Sequence, residues 1–211
     1  MTRILFAFCL LIFTASAHAS QSTPADAERF VQENARSVIA SLEDLAAGER
    51  DIDSVRAEFR ARIDALMDLE RITNMVLGRY RRTAPEEDVD EFREVFREYA
   101  ASVYESELTS YTGQQFEVTG SIERRQGDYI VQSRVYGGDS GQEFRVNWRV
   151  MENRAGELRV VDAEVAGVWL ALTQREQITG IIGNNRGDVT AATRVLRDRA
   201  ARGASIEDVI E

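Results

Sequence analysis

The chain has 211 residues, a formal net charge of −10, and a single His and a single Cys. Cys9 and His18 both fall within the first 19 residues, so the remainder has no disulfide, no Ser-His-Asp or Cys-His nucleophile, and none of the usual zinc, haem or iron–sulfur ligands. The acidic excess repels phosphate backbones and argues against nucleic acid as a partner.

Residues 1–19 have the pattern of a signal peptide. Arg3 supplies a positive start, Ile4 to Phe13 is an uncharged apolar run, and Ala17-His18-Ala19 fits a small-residue cleavage site. The apolar run is shorter than the ~20 residues of a membrane span. The expectation is export to the periplasm, leaving one domain over residues 20–202 and a flexible acidic tail over 203–211.

From Asp26 the spacing predicts a helix through Phe30, Val31, Val38, Leu42 and Leu45, ended by Gly48. A second helix runs from Asp51 to Leu66, and Asp68 caps a third that carries Ile72, Met75, Val76 and Tyr80. Thr83 and Glu86 stand at capping-box spacing before a long fourth helix, whose apolar face is Val89, Phe92, Phe96, Tyr99 and Val103 and whose end is expected near Ser110. The period then changes to two. Strands are predicted around Phe116–Ile122, Tyr129–Tyr136, Phe144–Val150 and Leu158–Val168, with Gln126-Gly127-Asp128 and Asn153–Gly156 as turns. Helix returns up to Ile182, and Asp188 caps a last helix. Four strands with short turns describe an antiparallel meander, and the class is α+β.

Few motifs carry chemistry. Arg186-Gly187-Asp188 sits in a turn between helices and spells an adhesion tripeptide by chance. Asp162, inside an apolar strand, is read as a hydrogen-bonded structural acid; the rival reading makes it the base of an enzyme. Arg79, Arg81 and Arg82 form the densest basic cluster, either paired with Glu86, Glu87 and Asp88 or free for a partner.

Four segments together resemble a known family. Asp68 to Thr83, read Asp-Leu-Glu-Arg-Ile-Thr-Asn-Met-Val-Leu-Gly-Arg-Tyr-Arg-Arg-Thr, is similar to the pattern D-F-x-x-[MI]-x-x-x-V-L-G-R-x-W-R-x. Phe92, Phe96 and Tyr104 recur at the family's spacing, with Leu108 and Tyr111 after them. Gly156 to Leu170 is similar to G-x-W-[RK]-V-x-D-[VI]-x-[VI]-x-G-V-S-L, and Gln174 to Ile182 matches the helix that follows. The order and spacing resemble the MlaC or Ttg2D (toluene tolerance) family, periplasmic components of an ABC phospholipid transport system. Leu158, Trp169 and Arg81 depart from the pattern, where Trp, Ser and Trp are common.

The resemblance implies an NTF2-like fold: a curved four-stranded antiparallel sheet and surrounding helices enclosing an apolar lipid pocket. It implies no catalytic residue, no metal and no cofactor other than bound phospholipid as cargo. It also implies partners in an inner-membrane ABC transporter complex and an outer-membrane lipoprotein–porin complex, only transient membrane contact, and a monomer. A hopanoid-linked branch carrying another lipid, an NTF2-like enzyme, and a ligand-free bridging module are the alternatives. Candidate lipid contacts are Ile72, Met75, Val76, Phe96, Tyr99 and Val103 on helices. On strands they are Val131, Val135, Phe144, Val146, Trp148, Val150, Val165, Val168 and Trp169; Ile178 and Ile182 follow on the next helix. In particular, the face of Phe144, Val146, Trp148 and Val150 is expected to line an enclosed space with Phe96, Tyr99 and Val103. Arg79, Arg81 and Arg82 are the candidate docking residues.

Overall fold

A computed structural model describes residues 22–105, 111–139, 141–204 and 209. The proposed signal peptide, and the expected end of the fourth helix near Ser110, lie outside the described residues.

Polar caps and apolar stripes set the helices. Thr23 and Asp26 form a reciprocal capping box with Pro24 in the first turn, so α1 (Pro24–Ala46) starts two residues before the periodic pattern does. Asp51, Asp68 and Asp188 each accept a backbone N–H, at the starts of α2 (Ile52–Leu66), α3 (Leu69–Leu77) and a last helix over Val189–Ala201. Gly78, at φ 55 and ψ −126, ends α3, and Gly78–Arg82 continues as a 3-10 turn. Tyr80 therefore lies in that turn and not in the third helix. The fourth helix, α4 (Glu86–Glu105), opens on three acids, which oppose its dipole.

The alternating segment forms β1 (Gln114–Arg125), β2 (Asp128–Gly137), β3 (Phe144–Glu152) and β4 (Leu158–Val165), antiparallel and in sequence order. The expected four strands are in fact five. Ala166 and Gly167 both take positive φ, 52° and 84°, which reverses the chain and lets Val168–Trp169 return as β5 against Glu164 and Val165. The next helix, α5 (Leu170–Asn184), begins at once, and the Val189–Ala201 helix is α6. Register shifts after Val118, Glu123 and Arg149 mark bulges, which increase the local twist.

Both sheet edges are managed. On β1, Gln32 of α1 accepts from the Val118 N–H at 3.0 Å, and Glu28 accepts from the Ser121 hydroxyl at 2.6 Å. Along β4, Asp68 N donates to Val160 O at 2.9 Å, so the α2–α3 junction covers the stretch that β5 does not reach.

One sheet face carries two adjoining cores. Ala27 and Val31 of α1 pack on Tyr129, Val131 and Val150. Residues of α3 to α6, among them Phe92, Tyr99, Ile178 and Leu196, pack with Ala163 of β4. Trp148 touches both. Its indole N–H donates to the Ser133 hydroxyl at 3.0 Å, and Ser133 donates to Val146 O at 2.8 Å, so a polar relay fixes the ring at the seam. In the expected tail, Ala204 and Val209 are buried against the helical core.

Asp162 ties the sheet to α5. It is 7% exposed, and its Oδ1 accepts from Ala163 N and Ala171 N, both at 2.8 Å. The carboxylate thus caps the start of α5 from a neighbouring strand. Burial raises its pKa, and the two backbone N–H groups oppose the rise. A raised folded value means that its contribution to stability is full below the ordinary value of 3.8 and is lost as pH rises through the folded value. Asp162→Ala, which removes both acceptor contacts, is expected to cost about 1–3 kcal/mol in chemical unfolding. Asp162→Asn keeps an oxygen for both donors and should cost less. The native chain should lose stability relative to that variant as pH rises through the Asp162 titration.

Candidate functional site

An open cavity of about 670 Å³ lies where α3 meets the ends of the β1–β2 and β3–β4 hairpins. That volume is in the range of small-molecule sites, roughly 300–1,000 Å³. A second hollow between α1 and α2, at Val38 and Phe59, has only about 10 Å³ and holds no ligand larger than a water.

The larger cavity has a mixed lining. Met75 of α3, Met151 of β3 and Val161 of β4 are apolar; Arg71, Arg125 and Arg149 are cationic; Gln126 and Asn153 are amides, and Glu152 is an acid whose carboxylate accepts from the Ser22 hydroxyl at 2.6 Å. Their placement follows from local structure. Arg71 and Met75 are one helical turn apart on α3 and share a side. Arg149 and Met151 share the sheet face opposite Trp148 and Val150. Val161 occupies the register shift opposite the Arg149–Val150 step, so the bulge adds an apolar residue to this wall. Gly127 closes the β1–β2 turn at φ +70, where an added Cβ would lie 3.2 Å from Glu152 Cβ. Glu152 N donates to Gly127 O at 2.9 Å, which ties that turn to the end of β3.

A buried acid organises the arginines. Asp128 is 2% exposed. Arg149 donates to it through Nε at 3.1 Å and Nη2 at 3.0 Å, while Arg125 and Arg124 approach to 3.4 and 3.8 Å. Burial alone would raise the Asp128 pKa; the Arg149 hydrogen bonds and the charges of Arg149, Arg124 and Arg125 outweigh it and hold the carboxyl below its usual range. Arg71 pairs with Asp68 at 3.1 Å and places Nη1 3.2 Å from the Met151 sulfur. The cavity wall thus presents guanidinium groups held at fixed positions beside flexible thioethers. Such a wall fits a ligand with an anionic group joined to an apolar part. Among the described residues, no three His, Cys, Asp or Glu side chains converge in a way that could hold a metal.

The candidate lipid contacts fall mostly elsewhere. Met75 is the one that lines this cavity. Ile72, Val76, Phe96, Tyr99, Val103, Ile178 and Ile182 are buried in the helical core, with Val165 packed against it. Val131 and Val150 belong to the α1 core. Val146 is buried, Val135, Val168 and Trp169 are half-buried, and Phe144 is 47% exposed. The expected wall is therefore divided: Trp148 reaches the core of Phe96, Tyr99 and Val103, Val150 faces α1, and Phe144 faces solvent. The arginines of the cavity are not among the sequence candidates, which on β3 are the apolar residues that alternate with Arg149. The doublet Arg124-Arg125 just before Asp128 was the available signal. Of the candidate docking residues, Arg81 is tied to Glu86 by two hydrogen bonds of 3.0 Å and to Asn74 at 2.9 Å. Arg79 and Arg82 are exposed.

Breaking the Arg149–Asp128 pair removes two charge-assisted hydrogen bonds from a buried carboxylate. Arg149→Met is expected to cost about 1.5–3 kcal/mol, with Arg124 and Arg125 left to answer the Asp128 charge, and Asp128→Val a similar amount. The double variant should cost clearly less than the sum of the two in denaturant titrations. Additive losses would show that the two side chains are not coupled.

Comparisons with known proteins bear on this geometry. The sequence profile of the family described as MlaC protein matches residues 32–198. No curated protein matches the chain. Among solved structures, a phospholipid-binding protein from Ralstonia solanacearum, determined in complex with a phospholipid, superposes with a TM-score of 0.72 at 22% sequence identity; the match covers 83% of this chain and 97% of that one. At that identity the likeness establishes a shared fold. The family match, spanning most of the chain, establishes the kinship: this protein belongs to the MlaC family.

Proposed function

We propose that this protein is a phospholipid carrier without catalytic activity. The observation that carries this reading is the cavity, where Met75, Met151 and Val161 offer apolar surface beside the guanidinium groups of Arg71, Arg125 and Arg149. A phospholipid has both matching parts, an acyl region and a phosphodiester. Membership of the MlaC family and the phospholipid bound to the Ralstonia protein support the same ligand class.

Physical chemistry explains why such a molecule needs a carrier. A diacyl lipid exposes on the order of 30 methylenes, and at ~0.8 kcal/mol each its free passage through water costs ~25 kcal/mol. A site of bilayer-like polarity makes transfer nearly thermoneutral, and partners then set direction. In this reading residues 1–19 export the chain to the periplasm. There it shuttles lipid between an outer-membrane lipoprotein–porin complex and an inner-membrane ABC transporter complex and so maintains outer-membrane lipid asymmetry. Among the described residues, no helix is long and apolar enough to cross a membrane. Asp162, the buried acid that an enzyme would use as base, has one oxygen, Oδ1, occupied by two backbone N–H groups, which favours the carrier over catalysis.

Organic extraction of the protein purified from cells, followed by mass spectrometry, is expected to release phospholipid in near-stoichiometric amount. Met151→Glu should lower the lipid content several-fold while the circular dichroism spectrum is unchanged. A folded native protein that yields no phospholipid would overturn the reading.

A further inference from the structure

Positive charge without a carboxylate partner gathers where the 3-10 turn meets the α5–α6 connection. Arg79 stacks over the Tyr80 ring, 4.8 Å from its centroid, and donates to the Tyr80 hydroxyl at 2.8 Å. Tyr80 is itself buried against the α5–α6 turn: an added Cβ would lie 3.2 Å from its hydroxyl at Gly183 and 3.9 Å from its ring at Gly187. Arg186 stands between those glycines at φ 60, an uncommon conformation for a residue with a side chain, which holds its position in the tight turn. Arg175 of α5 reaches the 3-10 turn, since a Cβ on Gly78 would meet its Nε at 3.3 Å. Arg82 follows Arg79 by three residues, which a 3-10 turn places on the same side. Arg79, Arg82, Arg175 and Arg186 are all exposed. None has a carboxylate within 4.0 Å among the described residues, whereas nearby Arg81 is neutralised by Glu86.

We infer that this Tyr80-centred arginine surface is a docking site for an acidic surface of a partner protein. The argument is charge complementarity on a molecule of net charge −10: a local positive patch selects and orients a partner whose own negative charge is equally local. A flat anionic bilayer fits less well. It would also meet the exposed Glu86 and Glu87 that open α4 immediately after the 3-10 turn. The inference rests on the carrier reading only for the need of a partner; the patch and the cavity use different side chains, so either reading can fail without the other.

The test uses 15N-labelled protein, a synthetic peptide of repeated Glu-Glu-Ser, its Gln-Gln-Ser counterpart, and phosphatidylglycerol vesicles. Arginine Nε–H resonances of Arg79, Arg82, Arg175 and Arg186 are expected to shift with the glutamate peptide and not with the glutamine one, and to lose the response as salt rises. Arg82→Glu, Arg175→Glu and Arg186→Glu combined should weaken that binding about ten-fold or more, equivalent to ~1.4 kcal/mol or more. Should the triple variant misfold, Arg175→Glu alone, which reverses one exposed charge, should still weaken it. Phospholipid content should be unchanged in these variants. Shifts spread equally over the distant Arg36 and Arg154, binding unaffected by charge reversal, or vesicles outcompeting the glutamate peptide at the patch would each overturn the inference.

Discussion

The buried Asp128 imposes the constraint on which the candidate site depends. A carboxylate at 2% exposure is tolerable only with its charge answered on the spot. Arg149 answers it with two hydrogen bonds, and Arg124 and Arg125 close in from the end of β1. That requirement fixes the β1–β2 turn against β3. It also stations Arg149 between two acids, since the charge of Asp162 acts on it as well. Asp162 in turn holds the first turn of α5. One network of charge therefore links the hairpin ends, the central strand and a helix of the main core.

The cavity is a by-product of the same arrangement. The guanidinium groups on its wall are held by acids set behind or beside them, so the ordering cost of a cationic surface is met during folding and not at ligand binding. Between them the methionines contribute unbranched, polarizable side chains that accommodate different apolar shapes. On the opposite sheet face, two apolar cores meet at Trp148.

Much of the fold was legible in the sequence, because periodicity, caps and turns act locally. Asp51, Asp68 and Asp188 mark true helix starts, and the alternation over 116–165 gives the strands and their order. The fifth strand was not legible: Ala166 adopts a left-handed conformation that its side chain does not advertise, so β4 and β5 read as one strand. The site was harder still. Apolar residues on helices and strands look alike whether they fill a core or line a cavity, and here Phe96, Tyr99, Ile178 and Ile182 fill the core. The arginines and methionines of the cavity lining are brought together from α3 and two hairpins. Neither their charge nor their spacing separates them from solvated residues until Asp128 is seen to be buried.

The central claim is that the acyl part of a phospholipid lies against Met75, Met151 and Val161. A phospholipid carrying a photoreactive group within one acyl chain, loaded on the protein and irradiated, tests it directly by peptide mapping of the adducts. The account expects adducts concentrated on α3 around Met75 and on the paired strands at Met151 and Val161. Adducts confined to the Phe96, Tyr99, Trp148 and Val165 region would contradict it, and would place the lipid between the sheet and the main helical core instead.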